Sequence, residues 1–191
     1  MKALAINPGA SACLGAALLV FLLLPPVRHA LEASMSLHML VQYPALMLAG
    51  ALLAAALPQA LPRRFRGWNE LGIGGLTVSA LILTLLMIPR VLDLALLDPR
   101  FESAKVAVLL LAGATLRQSW RAAGLVVQGF FLGNVLPMTI IVGTLYQDSP
   151  LRLCNAYRLD DQQQLGRELI WVAAVVALAW LVHAALRLAA P

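Results

Sequence analysis

The chain has 191 residues, 61% of them hydrophobic and 12% charged, against roughly 45 to 50% and 25% in soluble globular domains. That composition excludes a soluble protein and predicts an all-α, polytopic transmembrane bundle forming a single domain over 1–191. The formal net charge of +5 is small and unevenly placed, so it reads as a topology signal and not as affinity for nucleic acid.

Apolar runs separated by charged or proline-rich breaks predict six spans, at 7–26, 38–61, 71–89, 102–120, 123–146 and 166–186. The first follows Lys2 and ends at Pro25 and Pro26, a pattern shared with signal peptides, although a lone Lys is a poor basic region and no clean cleavage site follows. In the fourth, only Val106 to Leu116 is free of charge, so Lys105 and Arg117 are expected to snorkel outward. Gly72, Gly74 and Gly75 in the third run, and Gly129 with Gly133 in the fifth, suit close helix contacts.

Arg63, Arg64 and Arg66 crowd one short loop and Arg117 with Arg121 supply another, which places those loops and both termini in the cytoplasm. The opposite loops hold Glu32, Asp93, Asp98, Glu102, Asp148, Asp160, Asp161 and Glu168 and are expected outside. Each side carries seven of the fourteen Lys and Arg residues, so clustering alone supports the orientation. Cys13 and Cys154 fall at opposite ends, and no disulfide is expected between them.

At the outer end of the second span, Met35, His38, Met39 and Gln42 share one helical face. Thioether and imidazole together suit Cu(I), a soft ion that tolerates few ligands, and Met87 and Cys154 are expected at the same end. The same methionines serve equally as gap-filling core residues, with His38 hydrogen-bonded near the interface. A haem held by two histidines is disfavoured, because His183 is expected at the inner end of the sixth span, most of a bilayer from His38. No acid is expected deep in a span, and no phosphate-binding glycine loop, zinc-protease helix or Ser, His, Asp set is present.

Three stretches carry a resemblance. Pro89, Asp93 and the pair Asp98 and Pro99 precede a helix through Ala112 and Gly113; Tyr157, Gly166 and Trp171 flank a turn with Asp160, Asp161, Gln162 and Gln163; His38 and Met39 open the second span. In order and spacing, over about 35–191, these resemble the CtaG-like family of bacterial membrane proteins linked to cytochrome c oxidase assembly. The chain departs from that pattern at Gln42 and Met87, where the family carries histidines, and at Glu102, Lys105 and Val106, where it shows His and then Glu-His.

The resemblance implies a plasma-membrane protein that assists cytochrome c oxidase biogenesis, with oxidase subunits as partners and no enzymatic activity of its own. Copper, if carried, would be presented at the outer face by Met35, His38, Met39 and Met87. A metal-free structural subunit of a respiratory complex is the second reading, and a small-solute transporter the third. The charged segment from Asp148 to Glu168 is expected to form either an ordered outer cap that contacts a partner or a solvated connector.

Overall fold

In the computed structural model, which describes residues 7–55 and 67–189, prolines set many of the helix starts. The helices α1 (Pro8–Leu23), α2 (Pro25–Leu31), α5 (Pro89–Leu97) and α6 (Pro99–Trp120) each open on proline, where its missing N–H has no intrahelical partner to lose. The others are α3 (Tyr43–Ala54), α4 (Ile73–Leu86), α7 (Leu125–Asp148) and α8 (Leu159–Ala189), and there is no strand among the described residues. Leu24 and Ile88 are extended, as residues before proline prefer. They bend α1 against α2 by 75° and α4 against α5 by 77°.

Residues Leu37–Gln42 run into α3 as a widened π-type turn. Pro44, just beyond, has no N–H to offer the Leu40 carbonyl and its ring crowds that oxygen, so the helix relieves the conflict by opening here.

The helices pack in the order α1, α3, α6, α4, α7, α8, with α5 folded across one end of α6. α6 is central. It approaches α3 so closely that a Cβ on Gly50 would run into the Leu110 backbone, and one on Gly113 into the Met47 backbone. Gly72 turns the chain into α4 at φ +72°, a conformation that strains any residue with a side chain. The main core lies toward the end that carries the 149–158 loop; it includes Met35, Met39, Tyr43, Leu92, Leu109, Tyr146, Cys154 and Tyr157.

Three stretches, Leu37–Ala54, Leu125–Asp148 and Leu159–Ala189, are each long and apolar enough to cross a membrane, and counting each bent pair as one span gives five. This is compatible with a multi-pass membrane protein. The fourth of the six expected spans, in α6, does not qualify by composition, because Arg100, Glu102, Lys105 and Arg117 lie in that helix. Its central packing explains that sequence: Arg117 is exposed as expected, but Lys105 is only 2% exposed and points into the bundle. Arg63, Arg64 and Arg66, on which the orientation of the chain rests, lie outside the described residues.

Candidate functional site

Asp98 starts α6 by accepting a hydrogen bond from the Arg100 N–H at 2.8 Å, which fixes the register of Glu102 and Lys105 one and two turns in. The close crossing of α6 on α3 then brings the Lys105 ammonium among side chains from three segments. Its Nζ lies 2.9 Å from His38 Nε2, 3.0 Å from Gln42 Oε1, 3.3 Å from Glu32 Oε1 and 2.7 Å from Glu102 Oε2. The first three are hydrogen bonds and use all three of its protons; the Glu102 contact is an ion pair whose geometry is not that of a hydrogen bond. Arg28 Nε stands 3.6 Å from Glu32 Oε2, so two cations balance two carboxylates.

The proton positions follow from this cage. An ammonium can only donate, so His38 Nε2 is bare and its proton sits on Nδ1. Nδ1 then donates to the Tyr157 hydroxyl at 2.7 Å, and that hydroxyl donates to the Glu32 carbonyl at 3.1 Å. The chain from Lys105 through His38 to Tyr157 is saturated and ends on a backbone oxygen. It locks three segments together and offers no onward path for a proton.

The 149–158 loop is held down by buried acceptors. The Asp93 carboxylate accepts from Asn155 N at 2.8 Å, Ala156 N at 3.0 Å and Asn155 Nδ2 at 3.3 Å. Gln162, in the first turn of α8, accepts from Leu153 N at 2.7 Å and donates to the carbonyls of Tyr146 and Leu151. Cys154 donates its thiol to the Pro89 carbonyl at 3.5 Å. Burial, and then the negative charge of Asp93, push that thiol up to about 12. Burial, and then Glu32, likewise raise the Tyr157 phenol, which stays protonated. The segment is therefore an ordered cap, while Asp160 on its outer side is exposed and pairs loosely with Arg158 at 3.6 Å.

All four residues expected at a copper site lie in or against one core: Met35, His38 and Met39 are buried, and Met87 packs on the same cluster. The imidazole does not fit a copper ligand in this arrangement. Both ring nitrogens are engaged, and the nitrogen that would face a metal faces an ammonium instead. Among the described residues no group of three or more His, Cys, Asp or Glu side chains is placed to hold a metal ion. His29 and His183 are exposed, and Cys13 and Cys154 are free thiols, the first exposed and the second buried.

Sequence reasoning found His38 and Gln42 but not what holds them. From the sequence, Glu32 and Glu102 belong to outer loops and Lys105 snorkels outward; the structure instead gathers all three in one cage. The available signal was the Glu102 and Lys105 spacing of three residues, one helical turn, at the head of an otherwise apolar run, since a buried ammonium needs a carboxylate beside it.

No protein-family model, curated protein or solved structure matches the chain.

Proposed function

We propose that this chain is a non-enzymatic, multi-pass protein of a bacterial plasma membrane that acts as a scaffold in cytochrome c oxidase biogenesis, its capped end facing outward and its termini in the cytoplasm. One observation carries the reading. Residues that bear the family resemblance, far apart in the sequence, meet at the same end of the bundle: Tyr157 binds His38, Asp93 binds the backbone two residues before Tyr157, and Pro89 accepts from Cys154. A cluster that serves only to hold a loop rigid on a bundle end suits presentation of a surface to a partner.

In this reading the Lys105 ammonium supplies the positive charge at His38, and the scaffold works without copper on that imidazole. The oxidase subunits are the proposed partners, met by the exposed outer side of the cap at Arg158 and Asp160. The test is a chromosomal deletion complemented by wild type, by Asp160→Ala with Asp161→Ala, and by His38→Ala, read as assembled oxidase at equal levels of this protein, with copper measured on the purified chain. The expected result is loss of assembled oxidase in the deletion and the double variant, and no stoichiometric copper in wild type. Copper present in wild type, lost in His38→Ala and kept in His183→Ala would restore the copper-presenting reading. Normal oxidase in the deletion strain would end the oxidase assignment, leaving a structural subunit of another membrane complex.

A further inference from the structure

α7 is polar at its midpoint on the side that faces away from the other described residues. Gly133, Asn134 and Pro137 are all exposed there, at the ninth, tenth and thirteenth residues of a helix of 24. Asn134 Nδ2 donates to the Phe130 carbonyl at 2.6 Å, and among the described residues nothing donates to its Oδ1. Pro137 has no N–H, so the Gly133 carbonyl lacks the donor that an α-helix supplies four residues on. A Cβ on Gly133 would meet nothing within 4 Å, whereas Gly129, one turn earlier, packs against Trp180 of α8. The same face exposes Val126, Phe130, Ile141 and Leu145 at helical spacing. By contrast, the exposed middle of α8 is wholly apolar at Val172, Val175, Leu178 and Leu181.

In hydrocarbon a carbonyl and a carboxamide oxygen without donors are costly, and polar side chains in membrane helices almost always face protein. The face therefore needs a partner helix that brings an N–H donor and can approach closely at Gly133. A second copy of this chain brings both. Copies inserted with the same topology and related by a twofold axis along the membrane normal place Asn134 against Asn134, and a carboxamide is complementary to itself, donor to acceptor. We propose that this chain forms a parallel homodimer through the exposed face of α7, crossing at Gly133 and Asn134.

The inference rests on the membrane reading and is independent of the oxidase assignment. The full chain is tested in native membranes in a Cys13→Ser background, with a single added cysteine at Ile141→Cys on α7 or Val175→Cys on α8, under mild oxidation. Ile141→Cys should give a species of twice the chain mass and Val175→Cys should not. Asn134→Leu should weaken dimerisation by about three- to thirtyfold, read by dilution in lipid with two-colour labelled protein, while Asn134→Gln retains it. Membrane-bound protein that is monomeric in lipid, a dimer indifferent to Asn134→Leu, or cross-linking of Ile141→Cys to a different polypeptide would each overturn the proposal. Release of the protein by alkaline carbonate would instead overturn the membrane reading beneath it.

Discussion

Lys105 Nζ and His38 Nε2 stand 2.9 Å apart with both groups buried, and that contact fixes the tautomer of the imidazole. With Nε2 turned to the ammonium, the ring proton sits on Nδ1 and is directed to Tyr157. The contact also places the only buried cation among the described residues between two carboxylates.

Lys105→Met removes the ammonium and leaves Glu32 and Glu102 facing each other without it. Breaking a buried pair by deleting one partner costs about 3–5 kcal/mol, because the charge left behind stays desolvated. The variant should unfold at clearly lower temperature or denaturant in detergent. Adding Glu32→Gln and Glu102→Gln to Lys105→Met should recover most of the loss. A Lys105→Met protein as stable as wild type would mean that the ammonium reaches solvent.

Tyr157→Phe tests the link between the cage and the cap. It deletes one acceptor and one donor, leaving the buried His38 Nδ1–H without a partner, at a cost of about 1–3 kcal/mol. Amide hydrogen exchange at 153–158 should quicken, because the loop loses its tie to the bundle. Arg158→Ala, which disturbs only an ion pair with both side chains 83% exposed, should leave that exchange unchanged.

The helical class and most of the helix positions were legible because long apolar runs and prolines at helix starts are local signals. The shared face of Met35, His38, Met39 and Gln42 was legible too, from spacing alone. Lys105 was misread for a physical reason. A charged residue in an apolar run has two outcomes, snorkelling out or pairing within, and the choice depends on Glu32 from a segment 73 residues away. The depth of Asp93 was equally hidden: its side chain looks like a loop acid until the backbone of Asn155 and Ala156 folds over it. Of the expected Gly129 and Gly133 contact face, Gly129 does pack on α8 while Gly133 faces outward, a distinction that depends on where α8 lies.

Cys154 carries a pH signature. Its thiol is raised from 9.0 to about 12, so between those values an unfolded chain loses the proton and the folded chain keeps it. This contribution to stability is fully present below pH 9 and is lost as pH rises toward 12. In a Cys13→Ala background at pH 9, iodoacetamide should modify folded protein roughly two to three orders of magnitude more slowly than detergent-unfolded protein, because only thiolate reacts. Equal rates would show that the loop is open at the cap.

Gly113→Ala tests whether the α3 and α6 crossing positions the cage. The added methyl would run into the Met47 backbone, which, unlike the end of a long side chain, has no rotamer to swing away, so the two helices must part. Overpacking of this kind costs about 1–3 kcal/mol. Parting also draws Lys105 away from His38 and Gln42, which sit on the neighbouring stretch of the other helix. The losses from Gly113→Ala and Lys105→Met should therefore be less than additive in a double-mutant cycle, since the first already weakens what the second removes. Gly133→Ala is the matching control in detergent: its methyl enters open space and its helix gains propensity, so monomer stability should hold or rise slightly. Strict additivity of Gly113→Ala and Lys105→Met would separate the crossing from the cage and leave the glycine as a packing device alone.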